Sequence, residues 1–349
     1  MSLDRSRFPV LGRVAYLNAG TCGPVSRRTG EVMREWLERD LAGGRGGGAR
    51  FEAMFELKDT LRAGLGALVG ASAEQMILTT STTEGCNIVV TALRLGPEDE
   101  VVTTDAEHPG LESPLRASGA TIRVAHVLGR PAGEALDAIV AEVTPRTRLV
   151  ALSHVLWLNG QVLPIAEIKR RTGLRLLVDG AQSVGAVPVD ATAADFYTIS
   201  GQKWLCGPDL TGALYVADPD LLAPCMAGYG YSHEGPAADR LGVTFLPPML
   251  MAGLQAAVEE FPPEAHERSA EMAAECRQLL VEAGLDVRSD PGQGPLVSFV
   301  PSGEAAETVQ RAAAAGVIVR SLPNDWIRVS CGWWTDRSDL DRLLAVLAT

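Results

Sequence analysis

Residues 174–207, LRLLVDGAQSVGAVPVDATAADFYTISGQKWLCG, decide how the rest of the chain is read. An apolar run, Leu174–Val178, stops abruptly on Asp179. A second extended stretch, Asp195–Ile199, runs into Ser200-Gly201-Gln202-Lys203-Trp204. Binding sites of open α/β sheets lie at the carboxyl ends of strands, and Asp179 and Lys203 both fall there. A carboxylate and a lysine so placed suit pyridoxal phosphate (PLP). The lysine forms an imine with the aldehyde, and the acid keeps the pyridine nitrogen protonated so that the ring withdraws electrons.

The lysine count sharpens this reading. Of 31 lysines and arginines only three are lysine: Lys58, Lys169 and Lys203. Lys58 and Lys169 lie in stretches of amphipathic helical period and read as solvated helix-face charges. Lys203 alone sits in a glycine-flanked turn after an apolar run. The plain alternative is a surface lysine in a tight turn, and the remaining motifs weigh against it.

At 349 residues the chain suits one large core with a smaller appended domain, divided here as 1–260 and 261–349, with the first residues free to join the smaller unit. A hydrophobic fraction of 46% and a charged fraction of 21% are ordinary for a globular protein. The net charge of −12 argues against nucleic acid and anionic membranes as main partners. No apolar run is long enough for a membrane span, and the first residues lack the apolar core of a secretory signal. The six cysteines are scattered, with no CxxC pair and no Cys/His cluster at metal spacing. Reduced thiols and a cytoplasmic location are therefore expected, with no metal.

Along the chain, residues 13–26 read as a short strand breaking into a Gly-rich turn around Gly20. Its amides either face a ligand carboxylate or make a plain turn. A helix is expected over 27–40. The following LAGGRGGGAR reads equally as a connector or as a mobile segment beside a site. A strand then enters Thr79-Thr80-Ser81-Thr82-Thr83 ahead of an amphipathic helix with Glu84 in its first turn. An ordinary helix cap needs one hydroxyl, so five exceed that need, and this turn is the expected phosphate site.

His108 ends another strand, where an imidazole either stacks on a planar cofactor or caps a helix. Trp157 stands in a turn after strand 147–153, as core or as pocket wall. From about residue 266 the order helix, strand, helix, strand, strand, helix describes an α+β unit. Arg320 and Arg328 lie on its last two strands. Arginine holds a carboxylate by two parallel hydrogen bonds, so either suits an amino-acid substrate.

With these residues in hand, the chain resembles the class V aminotransferase superfamily of fold-type I PLP enzymes. Within it, YLNAGTCGP, TTEGCNIV, EHPG, SHVLWLNGQVLPI, VDGAQSVG and GQKWLCGP resemble segments of L-cysteine/cystine C–S lyases, in the same order across residues 16–208. The resemblance implies an α/β fold. Its large domain would carry a mostly parallel seven-stranded sheet between helices, with a smaller α+β C-terminal domain, in a homodimer.

The resemblance also implies roles. Lys203 is the imine lysine, Asp179 pairs with the pyridinium, Gln182 reaches the phenolic oxygen and His108 stacks on the ring. Thr82, Thr83 and Ser200 hold the phosphate, Thr244 reaches the partner subunit's phosphate, and Arg328 with Arg320 takes the substrate carboxylate. Two departures stand out. Gln202 occupies a place that is often histidine in these relatives, and Trp157-Leu158-Asn159 replaces the Asn-x-Thr-Gly pattern usual in desulfurases.

The expected reaction is β-elimination from cysteine, cystine or an S-thiolated cysteine, giving pyruvate, ammonia and a thiol or persulfide. A thiocysteine lyase domain of a polyketide synthase, acting on a carrier-attached substrate, is one form of that expectation. The nearest rival is a cysteine desulfurase or selenocysteine lyase, whose nucleophilic cysteine lies between arginines like Arg320 and Arg328. Here that interval, residues 321–327, contains no cysteine, and Cys331 reads as a buried thiol inside a strand. The sequence also accommodates an amino-acid epimerase of the same fold and a non-catalytic binding module.

Overall fold

Leu176, Leu177 and Val178 are all fully buried, so the strand that ends on Asp179 is covered on both faces, as an interior strand of an α/β sheet must be. The computed structural model describes residues 4–225, 240–241 and 246–348. In chain order the first elements are β1 (Ala15–Tyr16), α1 (Arg27–Gly43), α2 (Gly48–Leu68), β2 (Met76–Thr79), α3 (Thr82–Ala92), β3 (Glu100–Thr104), α4 (Pro109–Ala117), β4 (Thr121–Ala125), α5 (Ala132–Ala141), β5 (Thr147–Ser153), α6 (Ile165–Thr172), β6 (Arg175–Asp179), β7 (Phe196–Ser200) and β8 (Gly212–Val216). After these come α7 (Pro248–Glu259), α8 (Ala265–Glu282), β9 (Asp286–Val287), β10 (Leu296–Val300), α9 (Ala305–Ala314), β11 (Val317–Ile318), β12 (Arg320–Ser321), β13 (Ile327–Ser330) and α10 (Arg337–Leu347).

The large sheet has seven strands in the order β2-β8-β7-β6-β5-β3-β4. Only β8 runs against the others, since it is antiparallel to both β7 and β2 while the remaining pairs are parallel. Side chains alternate across it as strand geometry requires. Leu176, Val178, Tyr197 and Ile199 enter a core shared with α2, α5, α6 and α7. Leu177 and Phe196 enter a second core with α3 and α4 on the opposite face.

The C-terminal sheet is antiparallel, in the order β12-β13-β10-β9. Its core joins α8, α9 and α10 to Ala15 and Leu17 from the start of the chain. The first of the two adjacent strands expected in the C-terminal unit divides at Val319. Val317 and Ile318 pair in parallel with Ala15 and Tyr16, whereas Arg320 and Ser321 pair with β13.

Local signals explain several boundaries. Ser26 accepts from Thr29 N at 3.0 Å and starts α1, and Gly173, at φ +62°, ends α6. The glycine-dense stretch is a short link, Gly44 to Gly47, between two helices. Lys169 is not simply solvated: its Nζ donates to Asp195 Oδ2 at 2.5 Å and to the Leu174 carbonyl at 2.9 Å, tying α6 to the strands beneath. Lys58 is half-buried on α2. Cys331 is fully buried, one residue beyond the end of β13.

Candidate active site

The carboxyl ends of β2, β3, β5, β6 and β7 open on one edge of the sheet and carry, in turn, Thr82-Thr83, His108, Trp157, Asp179 and Lys203. There all but Asp179 border one cleft. Gly20, Gln182, Ser200, Gln202, Arg320 and Arg328 complete its wall, with Thr21 and Ser81 as additional members. Asp179 is buried beneath it, and its charge acts on both Lys203 and His108. Thr244 lies outside the described residues.

Asp179 is held firmly. Its Oδ1 accepts from Ala181 N at 2.9 Å and from Thr198 Oγ1 at 3.3 Å. Gly180 N donates to the same threonine oxygen at 3.2 Å. Thr198 precedes Ser200 by two residues on β7, so both face one side of the sheet, a period-two signal that marks it beforehand.

Burial pushes the Lys203 amine down to about 8 against the pull of Asp179. Its backbone carries the loop from the start of the chain, because Gly23 N donates to the Gln202 carbonyl at 2.7 Å. A Cβ at Gly23 would collide with the Lys203 carbonyl.

The hydroxyl-rich turn divides its labour. Thr79 Oγ1 donates to the Ser81 carbonyl at 3.1 Å, Ser81 Oγ accepts from Glu84 N at 3.1 Å, and Thr80 gives its N–H and hydroxyl to Glu84 Oε2 at 2.6 Å. Local structure therefore consumes the hydroxyl protons of Thr79 and Thr80, while Ser81 only accepts. Thr82 and Thr83, with their amides in the first turn of α3, face the cleft. Ser200 Oγ donates to Gln202 Oε1 at 3.0 Å, which orients the Gln202 amide.

His108 caps a helix, one of the two readings its place in the sequence allowed. Its Nδ1 caps α4 by accepting from Gly110 N at 3.0 Å, and its ring stands edge-on to Trp157 at 5.1 Å. Burial and then the Lys203 charge lower its pKa, favouring the neutral imidazole. Glu107 beside it is fully enclosed. It accepts from Thr104 Oγ1 at 2.6 Å and from Ser153 N and Oγ at 3.0 and 2.6 Å, and burial raises its carboxyl to about 7. Gln182 bridges the site: Nε2 donates to the Gly20 carbonyl at 2.8 Å and Oε1 accepts from Trp204 Nε1 at 3.0 Å.

Arg320 and Arg328 face each other across the β12–β13 hairpin. Arg320 Nη1 donates to Thr21 Oγ1 at 3.2 Å, and its guanidinium lies 6.0 Å from the Trp157 ring centre. Arg328 is fully buried. Nη1 donates to the Trp157 carbonyl at 2.9 Å, while Nε and Nη2 have no partner among the described residues. Burial, then Arg320, lowers its pKa to about 9. The amides of residues 20–23 do not face a ligand, which corrects one sequence reading. They donate to Ser330 Oγ, to the Asn18 carbonyl twice and to the Gln202 carbonyl. Gly20 matters for another reason: a Cβ there would lie 2.6 Å from Arg328 Nη2.

A phosphate-bearing aldehyde with a basic ring nitrogen fits this donor set. It would find a lysine of lowered pKa, a buried carboxylate, a helix start with two hydroxyls facing the cleft and a neutral aromatic wall. The unpartnered guanidinium nitrogens suit a carboxylate. An open α/β sheet with such a strand-end lysine, acid and arginine defines an amino-acid-transforming enzyme of the fold-type I kind.

The sequence profile described as Aminotransferase class-V matches residues 16–256, and the chain belongs to that family. It resembles isopenicillin N epimerases from Amycolatopsis lactamdurans (32% identity over 248 residues, 64% of this chain and 59% of that one) and Streptomyces clavuligerus (28% over 394 residues, 98% and 96%). It also resembles a cysteine desulfurase from Enterobacter sp. strain 638, at 32% identity over 63% of this chain and 58% of that protein. The chain thus spans under two thirds of some relatives it matches.

Two solved structures of C-DES share the fold at 28% identity. A lysine mutant with glycine covalently linked to the PLP cofactor superposes with a TM-score of 0.93, covering 99% of both chains. The cystine C–S lyase bound to its reaction product cysteine persulfide gives 0.91, covering 98% and 99%. In architecture the chain is a fold-type I transferase: a mostly parallel sheet flanked by helices, followed by an antiparallel C-terminal sheet. Among the described residues no helix is long and apolar enough to cross a membrane.

Proposed function

We propose that this chain is a PLP-dependent carbon–sulfur lyase that carries out β-elimination on a cysteine-type substrate, cystine or another S-thiolated cysteine above all. The observation that carries the choice within the family is the β12–β13 hairpin. Arg320 pairs with Arg328, Leu322 N donates to the Trp326 carbonyl at 2.8 Å, and the seven residues between them contain no thiol. A desulfurase needs a thiolate on a loop there to attack the substrate sulfur. Cys331 is sealed in the core, and Cys22 is kept as a thiol by burial and by the Asp209 carboxylate, despite the nearby Lys203 and Arg320.

The chain's own groups then divide the work. When bound, the cofactor supplies the electron sink for the pair left at the substrate Cα. Lys203 Nζ would hold the aldehyde carbon and would serve as the base for the substrate Cα proton. Asp179 would keep a proton on the ring nitrogen, His108 would cover the ring and Gln182 would donate toward its phenolic oxygen. Thr82, Thr83 and the Gln202 amide would supply donors for the phosphate, with Ser200 giving its one proton to Gln202 Oε1 and so orienting that amide. Nε and Nη2 of Arg328 would grip the substrate carboxylate, beside Arg320 and Trp157 in the cleft wall.

The β-sulfur leaves as a thiolate or persulfide, and the three-carbon fragment hydrolyses to pyruvate and ammonia. A persulfide is the better leaving group because its conjugate acid is stronger, which favours disulfide substrates. A homodimer is part of the proposal. Leu37, Leu41, Phe55 and Leu210 are exposed at 51%, 76%, 43% and 64%, apolar side chains that a second copy would cover.

Purified protein given cystine should release pyruvate and ammonia in equal amounts. Stoichiometric alanine from cysteine would instead establish a desulfurase. The epimerase reading draws support from the Streptomyces relative, which matches 98% of this chain. Loss of optical activity without pyruvate is the result that would select it.

A further inference from the structure

Beneath Asp179 lies a chain of hydrogen bonds that the proposed reaction does not use. Tyr197 is fully buried on β7, with its hydroxyl 2.6 Å from His154 Nδ1 and 2.6 Å from Ser183 Oγ. Ser183 Oγ lies 3.0 Å from the Gly180 carbonyl, to which it donates. A serine hydroxyl has one proton, and this bond takes it. Tyr197 therefore donates to Ser183, because two oxygens so close need a proton between them. The phenol oxygen then accepts from His154, which sets that imidazole's proton on Nδ1. The bonds run one way, from His154 through Tyr197 and Ser183 to Gly180.

The backbone closes the circuit, since His154 N donates to the Asp179 carbonyl at 3.1 Å. The carbonyls of residues 179 and 180 are thus held by opposite ends of one chain. Gly180 permits this closeness, because a Cβ there would strike the Tyr197 ring and the Thr198 carbonyl. The His154 and Tyr197 rings meet edge-on at 5.9 Å. Every member is neutral: burial pushes His154 down to about 4 and holds the Tyr197 phenol above its ordinary pKa. The chain adds no charge beside Asp179 and acts on it through geometry alone.

We infer that Tyr197 is a positioning residue: by bridging His154 and Ser183 it clamps the Asp179–Gly180 peptide and keeps the Asp179 carboxylate aimed at the cofactor ring. This inference rests on the PLP assignment above. The test uses holoenzyme carrying Tyr197→Phe, read by visible circular dichroism of the bound cofactor and by its dissociation constant. Losing a buried hydrogen bond of ordinary strength should weaken cofactor retention about threefold to tenfold, with reduced dichroism of the visible band.

Ser183→Ala should move both readouts the same way, and Ser183→Thr, which keeps the hydroxyl, should restore them. Ser183→Ala carries the test if Tyr197→Phe fails to fold. Dichroism and retention unchanged from wild type, whatever the melting temperature does, would overturn the inference. A wild-type protein with no visible band would instead overturn the PLP assignment, so the two failures are separable.

Discussion

Asp179 and Arg328 are both buried charges at the cleft, and they are built in opposite ways. The acid accepts a backbone amide and a threonine hydroxyl, and its peptide is clamped by the Tyr197 chain. The arginine has one hydrogen bond, to the Trp157 carbonyl, and leaves two nitrogens unpartnered among the described residues. A satisfied buried charge is part of the scaffold. A buried charge left open destabilises the fold unless something else completes it. On the proposed function, the contrast separates the half of the site that would hold a resident group from the half that would receive a transient one.

The sharpest way to break this contrast is Asp179→Asn, which keeps the volume and removes the charge. It should lower kcat on the order of a hundredfold with little change in KM, as measured by pyruvate release. A rise confined to KM would place the acid on the substrate side instead.

Arg328→Met should do the reverse. The loss should fall mainly in KM, about tenfold to a hundredfold in kcat/KM, while stability to urea rises by about 1–3 kcal/mol because an under-paired buried cation is gone. Lowered stability would show that Arg328 is structural. Gly20→Ala, which crowds Nη2 at 2.6 Å, should raise KM about tenfold or less, leaving kcat near wild type.

Two pH effects sharpen the comparison further. Because Lys203 is depressed to about 8, cofactor capture by the apoprotein should be half-maximal near that pH rather than near 10. Stopped-flow absorbance across pH 6–10 measures this. Glu107 is raised to about 7 from an ordinary 4.5, so the folded state binds more protons than the unfolded state between those values. Stability should therefore fall as pH rises from about 4.5 to 7, by at most about 1.4 kcal/mol per unit. Glu107→Gln should flatten that slope in pH-dependent urea melts, and an unchanged slope would assign it to other groups.

Much of the site was legible because its parts are local. Asp179, His108 and the Thr82-Thr83 turn each end an apolar strand, and strand ends converge in a sheet of this kind. What escaped depends on distant pairings. The amides near Gly20 turn inward because Ser330 arrives from the far end of the chain to accept one of them. Lys169 meets Asp195 only once α6 folds back on the sheet. The division of residues 317–323 follows from β1 claiming one half, a parallel pairing across some 300 residues that no local period announces. The opposition of Arg320 and Arg328 likewise needs the hairpin register.

The central claim is that one amine carries the cofactor. Holoenzyme reduced with borohydride, digested and mapped by mass spectrometry tests it directly. The expected result is a single pyridoxyl adduct on Lys203. An adduct on Lys58 or Lys169 alone, or none at all, would contradict the account.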